Sequence, residues 1–384
     1  MASILFHDPR LSSIAGGGET VTLQLVGLLA TAGHDVTILT KRAPHSQIYD
    51  EAARRLPNVK FVEIDAPVFD KPADVLTENF TQELWRSDRL APESIAFNVA
   101  ARAFYGAKFD LCVVSFILDL AGLDARGPVL LNVFGLPPDA AIAALERPLL
   151  DQCSGFTFAS HYVRREFHSL FGLQHGRGAG PVIHASIHDA FFEARPPLAK
   201  RYEVCYAGRL VRRKGIHVLL RAIAWLKQNA HLAVSAAIAG DGSESASLRA
   251  LAVELEIERQ VEWLGAVGTA ELIRVLDQSR TFAYPTLKPE AFGCSNLEAM
   301  ARGVPVITTN LGGTADYVEP DVNALVCECD SPQSLGGRIA ELLTSAEVAQ
   351  EIGRNARITA ERFHSTGTSD RWLKAFDDLL RRAV

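Results

Sequence analysis

Short, continuously apolar runs alternate with amphipathic stretches along most of the chain, and the alternation starts twice. The first series opens with ILFHD at 4–8, an amphipathic stretch at 19–34 and DVTILT at 35–40. Strands that are apolar throughout are typical of a parallel sheet that is covered on both faces. The helical spacing of apolar residues between the runs predicts the helices that cover it. The chain is therefore predicted to have an α/β fold with doubly wound sheets.

The second series follows EARPPLAKR at 193–201, a charged segment with adjacent prolines that is predicted to be a linker. Strand-like and helix-like segments then alternate from EVCYAGRL at 203–210 to ALVCE at 324–328. A chain of 384 residues is long enough for two domains. The predicted parts are an N-terminal Rossmann-like domain at 1–190, a second Rossmann-like domain at 191–362 and a C-terminal helix at 363–384.

The C-terminal helix is predicted to be amphipathic, with apolar residues at Trp372, Leu373, Phe376, Leu379 and Leu380. Two alternatives remain open for this helix. It either crosses back to the N-terminal domain or packs as an ordinary core helix of the second domain.

Composition and charge exclude several classes of protein. With 48% hydrophobic and 22% charged residues, the chain has the composition of a globular protein. Its 39 basic and 45 acidic residues give a net charge of -6, which argues against a nucleic-acid partner. The six cysteines are scattered, so no zinc site or disulfide framework is expected. No signal peptide or long apolar span is recognisable, and we expect a cytoplasmic protein.

Peripheral membrane contact is left open by one helix-like segment that carries Arg164, Arg165, His168 and Phe171. Basic and apolar residues on one helix can bind a lipid surface. A solvated helix face is the alternative interpretation.

A glycine-rich loop, SSIAGGGET at 12–20, places Gly16, Gly17 and Gly18 directly before the first helix. Glycines allow close approach to an anion, and a helix N-terminus favours negative charge. A flexible turn that caps the helix is the alternative. The sequence contains neither G-x-G-x-x-G nor a P-loop motif, which argues against dinucleotide and P-loop sites.

Two cations follow the first strand of the second series, in AGRLVRRKG at 207–215. Arg209 and Lys214 are predicted to lie at the carboxyl end of that strand. There they can neutralise a diphosphate, Arg209 through two parallel hydrogen bonds from its planar guanidinium and Lys214 through its compact ammonium charge. A solvated turn is the alternative.

Two glutamates in PEAFGCSNLEAM at 289–300 are predicted to face one cavity. Glu290 follows the predicted strand TFAYPT, and Glu298 is predicted in the first turn of a helix that has Ser295 or Asn296 near its N-cap. Gly293 and the amides after it form a predicted anion cradle. The alternative, in which Glu298 only complements the helix dipole, leaves Glu290 unexplained.

Taken together, these motifs resemble family-4 retaining glycosyltransferases of the GT-B fold. The resemblance covers nearly all of residues 203–364. It rests on G-R-L-x-x-x-K-G at 208–215, AGDG at 239–242, WLG at 263–265, E-x-F-G with L-E-A-M at 290–300 and GVPVI with GG at 303–313. It implies two Rossmann-like domains that face a central cleft, and hexosyltransferase activity.

The resemblance also implies roles for individual residues. Arg209 and Lys214 correspond to residues that hold the donor diphosphate, Glu290 to one that contacts sugar hydroxyls, and Glu298 to one that holds the ribose. Glu290, Arg209 and Lys214 are the predicted catalytic set. The predicted donor-binding set is Gly17, Gly18, Arg209, Lys214, Glu290, Phe292, Gly293, Cys294, Ser295, Asn296 and Glu298.

The implied reaction moves a sugar from a nucleoside-diphosphate sugar to a hydroxyl acceptor, which is a glycan, a lipid or a small molecule. In the family the acceptor attacks from the leaving group's own face, and the departing phosphate takes its proton. Neither a metal nor a cofactor is expected, since cations and amides can stabilise the phosphate and no D-x-D motif occurs. The donor base, the sugar, the acceptor and the oligomeric state stay open.

The N-terminal half departs from the family pattern at the ends of two predicted strands. Many members carry a histidine there, whereas VVSF at 113–116 and NVFG at 132–135 offer Ser115, Phe116 and Phe134. Two other functions therefore remain as alternatives. One is a nucleotide-sugar epimerase or hydrolase on the same fold, and the other is a catalytically impaired, nucleotide-binding pseudo-glycosyltransferase.

Overall fold

The computed structural model describes residues 1–13, 17–66, 91–105, 108–173 and 180–382. The chain divides into two compact units, Met1–His184 with Thr368–Val384, and Ala185–Gly367. The division follows His184, so the proline-containing stretch 193–201, expected to be the linker, lies within the second unit.

The first unit contains a six-stranded parallel sheet. Its strands are β1 (Ser3–His7), β2 (Asp35–Lys41), β3 (Lys60–Ile64), β4 (Leu111–Val114), β5 (Val129–Val133) and β6 (Gly155–Phe158). Their order is β3-β2-β1-β4-β5-β6, and every neighbouring pair is parallel. The residues of β4 and β5 are all buried. This burial explains why both strands read as continuous apolar runs.

Helices of the first unit connect and cover these strands. They are α1 (Gly17–Thr31), α2 (Gln47–Arg55), α3 (Ala91–Ala100), α4 (Arg102–Tyr105), α5 (Ala140–Glu146) and α6 (His161–Phe171). The predicted apolar face of α1 is buried at Val21, Leu25 and Leu29. In α6 the Ser160 side chain accepts a hydrogen bond from the N–H of Val163, which caps the helix.

The second unit repeats the same topology. Its strands are β7 (Tyr202–Ala207), β8 (Ala236–Ala239), β9 (Val261–Gly265), β10 (Ser279–Tyr284), β11 (Val306–Thr308) and β12 (Leu325–Val326). They are ordered β12-β11-β10-β7-β8-β9, and all neighbours are parallel. The chain order reverses between β7 and β10. Ligands bind beyond the carboxyl ends of the strands at such a switch point.

Helices also cover the second sheet. They are α7 (Ile216–Asn229), α8 (Ser245–Glu254), α9 (Thr269–Asp277), α10 (Cys294–Ala301), α11 (Pro332–Thr344) and α12 (Ala346–Glu361), followed by α13 (Ser365–Arg382). From Thr368 onward α13 belongs to the first unit, and its Leu379 side chain lies against Gly155 of β6. Among the described helices, none has both the length and the apolar character needed to cross a bilayer.

Candidate donor site at the switch point of the second sheet

The chain segments that leave β7 and β10 lie against each other at the switch point. After β7 a 3₁₀ turn, Arg212–Lys214, leads through Gly215 into α7. Gly215 has φ +72°, and a Cβ there would overlap the carbonyl oxygen of Pro285. The Leu287 N–H donates to the Arg213 carbonyl at 2.7 Å. A glycine is therefore needed to bring the cationic turn against the loop that follows β10.

Glu290 and Lys214 form a buried ion pair in this contact. Lys214 Nζ lies 2.8 Å from Glu290 Oε2, and the two residues are 8% and 5% exposed. The other oxygen, Oε1, accepts from Arg213 Nη1 at 3.0 Å and from Thr286 Oγ1 at 3.0 Å. Lys214 Nζ also donates to the Tyr284 hydroxyl. Two predicted catalytic residues are thus in direct contact, and both carboxylate oxygens are occupied.

Charge keeps the Glu290 carboxylate ionised despite its burial. Burial acts to raise the pKa of Glu290, but the positive charges of Lys214 and Arg213 outweigh it and hold that pKa below its usual value. Burial lowers the pKa of Lys214, and the attraction of Glu290 opposes this change. Two cations therefore share one carboxylate, so the cluster favours an additional anion.

Arg209 lies just after β7, as predicted, but its side chain makes no hydrogen bond or ion pair with Glu290. It is exposed, and its carbonyl accepts from the Tyr206 hydroxyl at 3.1 Å. Its guanidinium has no hydrogen bond or ion pair with the described residues. Arg213, which the sequence analysis did not select, is the arginine that binds Glu290. The only signal for it was the run of three cations at 212–214.

The helix α10 begins at Cys294, so Ser295 and Asn296 lie in its first turn, near the N-cap as predicted. Gly293 is the N-cap, with φ +87° and no side-chain cap. The Asn296 N–H donates to the Gly293 carbonyl at 3.1 Å, and its side chain donates to Thr308. The N–H groups of Cys294 and Ser295 have no backbone acceptor among the described residues. Those two amides are the part of the predicted cradle that has no backbone acceptor in the described part of the chain, and such N–H groups at a helix N-terminus can bind an anion.

Glu298 is the fifth residue of α10 and is half-buried, beyond the first turn in which it was predicted. Burial raises its pKa to about 7. Its carboxyl group makes no hydrogen bond or ion pair with any described residue. Nearby, burial raises the pKa of the Cys294 thiol to about 12, so that thiol is neutral. The Phe292 side chain is buried and packs edge-on against Tyr317, which makes it a core residue.

In the first unit, Gly17 and Gly18 are the first two residues of α1, and Gly16 lies outside the described residues. A Cβ on Gly18 would lie 3.7 Å from the Phe116 ring and 3.8 Å from the Phe134 ring. Both phenylalanines are half-buried. Aromatic rings from the residues that follow β4 and β5 therefore lie beside the start of α1.

A buried polar cluster lies after β1 and was not predicted. Arg10 Nη2 lies 2.6 Å from Asp119 Oδ2, and Ser94 donates to Asp119 Oδ1 at 2.6 Å. Burial lowers the pKa of His7 to about 3 and raises that of Asp8 to about 8. Desolvation thus keeps His7 uncharged, while Arg10 and Asp119 form the ion pair of the cluster.

Comparison with protein families gives each half of the chain a match. The family model described as Glycosyltransferase Family 4 matches residues 15–179, and the one described as Glycosyl transferases group 1 matches residues 189–359. This chain is a family-4 glycosyltransferase. The predicted enzyme class and family are confirmed.

Relatives of this glycosyltransferase match over nearly their whole length. The GDP-mannose-dependent alpha-(1-6)-phosphatidylinositol monomannoside mannosyltransferase of Mycobacterium tuberculosis is 28% identical over 94% of both chains. The N-acetyl-alpha-D-glucosaminyl L-malate synthase of Bacillus anthracis is 23% identical over 95% of both chains. Among solved structures, Anabaena HepE in complex with UDP and glucose has a TM-score of 0.78 at 19% identity, covering 98% of this chain and 100% of HepE. The predicted GT-B fold, with two Rossmann-like units, is confirmed.

Proposed function

We propose that this glycosyltransferase moves a sugar from a nucleoside-diphosphate sugar to a hydroxyl acceptor, with retention at the anomeric carbon and without a metal ion. The observation that carries the proposal is the buried Lys214–Glu290 pair, which lies at the switch point of the second sheet. The HepE complex with UDP and glucose supports a nucleotide-sugar donor, as does the name of the mycobacterial relative.

In this proposal the cations of the second unit act on the leaving diphosphate. Negative charge accumulates on that group as the glycosidic bond breaks, while the sugar gains oxocarbenium character. Lys214 and the unpaired guanidinium of Arg209 bind the phosphates together with the N–H groups of Cys294 and Ser295. A positive site of this kind can stabilise the leaving group without a metal.

The two glutamates hold the two ends of the donor. Glu290 is charged and fixed by Arg213 and Thr286, so it can accept hydrogen bonds from sugar hydroxyls. Glu298 is available for the ribose hydroxyls, whose hydrogen bonds favour its ionised form. The acceptor hydroxyl attacks the anomeric carbon while the bond between that carbon and the phosphate oxygen breaks. The departing phosphate oxygen takes the proton of the hydroxyl.

Acceptor recognition is assigned to the first unit, where Gly17 and Gly18 match the family's glycine loop. Whether the acceptor is a glycan, a lipid or a small molecule stays a prediction, as do peripheral membrane contact and cytoplasmic location. The epimerase or hydrolase and the pseudo-glycosyltransferase gain no support from the relatives, which are named as a transferase and a synthase.

The proposal is tested by thermal-shift measurements with UDP, GDP, ADP and dTDP and with their sugar conjugates. A ligand that binds only the native state raises its melting temperature. At least one nucleotide should stabilise the protein, and its sugar conjugate should then serve as donor in a transfer assay. An unchanged melting temperature with every nucleotide would rule out the donor site.

A further inference from the structure

The loop between Glu290 and Gly293 is held at both ends by the segment 311–317. At the first end the Glu290 N–H donates to the Leu311 carbonyl at 3.1 Å, and the Gly313 N–H donates to the Glu290 carbonyl at 2.7 Å. At the other end the Tyr317 hydroxyl donates to the Gly293 carbonyl at 2.8 Å. One segment therefore fixes both the sugar-binding glutamate and the start of α10.

The orientation of the Gly293 carbonyl determines the direction of the Cys294 N–H, because both belong to the same peptide group. Gly293 has φ +87°, and its peptide group leads directly into Cys294. A Cβ on Gly293 would lie 2.9 Å from the Tyr317 hydroxyl oxygen and 2.8 Å from Thr314 Cγ2. Both contacts are too close for a real Cβ, so this packing requires glycine. The Tyr317 hydroxyl thus adds a second donor, beside the Asn296 N–H, to the carbonyl of a peptide that has no side chain to hold it.

Tyr317 itself has little freedom to move. It is 2% exposed, and its ring meets the Phe292 ring edge-on at 5.4 Å and the Phe363 ring edge-on at 5.9 Å. Thr314 also packs against Gly293. Its hydroxyl donates to Asn310 Oδ1 at 3.2 Å, which fixes the position of the Thr314 side chain. A ring packed on two sides presents its hydroxyl in one direction.

We propose that Tyr317 is a positioning residue for the donor diphosphate. Through the Gly293 carbonyl, its hydroxyl aligns the N–H groups of Cys294 and Ser295 with the phosphates, and it does not touch the donor. This inference rests on the proposed function, because it concerns the phosphate-binding half of the donor site.

The test is Tyr317→Phe, which removes the hydroxyl and keeps the ring packing. Dissociation constants of GDP and UDP are measured by titration calorimetry, and those of guanosine and uridine by competition. We expect diphosphate binding to weaken about tenfold, since the half-buried Gly293 carbonyl loses one of its two donors and the amides lose their alignment. Nucleoside binding should stay unchanged. The KM for the donor should rise in step with the diphosphate dissociation constant.

Tyr202→Phe is the matched control. Tyr202 is also buried in the second unit, and its hydroxyl donates to Glu262 Oε2 at 2.9 Å, but it lies at the first residue of β7, away from the carboxyl end. Loss of the Tyr202 hydroxyl should leave the ratio of diphosphate affinity to nucleoside affinity as it is in the wild type. Should Tyr317→Phe fail to fold, Phe363→Leu carries the test, because it loosens the ring packing that directs the Tyr317 hydroxyl and leaves the Gly293 backbone unchanged.

The outcomes separate the two proposals. If the wild type binds neither GDP nor UDP nor another nucleoside diphosphate, the proposed function fails and the inference falls with it. If the wild type binds one of them and Tyr317→Phe binds it equally well, only the positioning role is overturned. An equal loss of nucleoside and diphosphate affinity would likewise overturn it, since general loosening of the unit affects both.

Discussion

Lys214→Met removes one charge from the buried pair and retains most of the aliphatic stem. In the native protein Lys214 Nζ is 2.8 Å from Glu290 Oε2, and both residues are buried. After the substitution the Glu290 carboxylate keeps Arg213 and Thr286 on Oε1 but loses its partner on Oε2. The remaining carboxylate is then only half satisfied in a desolvated site.

Removing one partner of a buried pair costs about 3–5 kcal/mol. Because Arg213 remains, we expect about 3 kcal/mol for Lys214→Met. Glu290→Gln should cost a similar amount, since it leaves the Lys214 charge buried without a carboxylate. The double variant should be more stable than the sum of the two losses predicts, with a coupling energy of at least about 1 kcal/mol. Transfer by Lys214→Met should fall by about 10²–10³, as for removal of one stabilising group at developing charge.

Urea unfolding followed by tryptophan fluorescence gives the stabilities, with Trp225 and Trp263 reporting on the second unit. The control is Lys227→Met, in an exposed lysine of α7 whose Nζ donates to the Glu256 carbonyl at 2.8 Å. This control should stay within about 0.5 kcal/mol and keep its transfer rate. Additive losses in the double variant would refute the energetic coupling, and a wild-type rate in Lys214→Met would refute its role at the phosphate.

Three further predictions concern single groups. Burial raises the pKa of Glu298 to about 7, and ribose hydroxyls should bind its ionised form. We therefore expect nucleoside-diphosphate affinity, measured by titration calorimetry, to increase from about pH 6 to 8. The variant Glu298→Gln should lack this pH dependence. Arg10→Met should destabilise the first unit by about 3–5 kcal/mol in urea, because it leaves Asp119 buried without its partner, and a loss below about 1 kcal/mol would contradict that reasoning. Arg213→Gln should lower thermal stability in the absence of ligand, because Arg213 pairs with Glu290. Arg209→Gln should leave thermal stability unchanged and weaken diphosphate binding, because Arg209 is exposed. The reverse pattern in thermal-shift data would show that Arg209 stabilises the unit and Arg213 binds the diphosphate.

The two doubly wound sheets were predictable because strands that are buried on both faces are rich in apolar residues, whereas the order of the strands was not predicted. LCVVSF and VLLNVF are apolar except at Ser115 and Asn132, and the corresponding strands β4 and β5 are buried at every residue. The Glu290–Lys214 contact was also within reach, because carboxyl ends of parallel strands meet at one edge of a sheet. Local pattern and sheet geometry were sufficient for these features.

Other features depend on backbone conformation or distant partners. Nothing in the run Arg212–Lys214 shows which cation turns inward, because the 3₁₀ turn decides it. Ser295 and Asn296 were expected near the N-cap of α10, but the N-cap residue itself is Gly293, which has a left-handed backbone and no capping side chain. Arg10 and Asp119 are 109 residues apart in sequence, and no local pattern joins them.

The position of Arg213 explains how a buried carboxylate can coexist with a site that must admit a diphosphate. A phosphate that binds Lys214 competes with Glu290 for the same ammonium group. If Lys214 were the only cation beside Glu290, donor binding would leave a buried charge unpaired, which is costly. Arg213 and Thr286 hold the opposite carboxylate oxygen, so Glu290 keeps partners when Lys214 turns toward the phosphate. Arg213 and Lys214 would thus have different roles in the proposed donor site, because Arg213 keeps the Glu290 carboxylate ionised while Lys214 can bind the leaving phosphate.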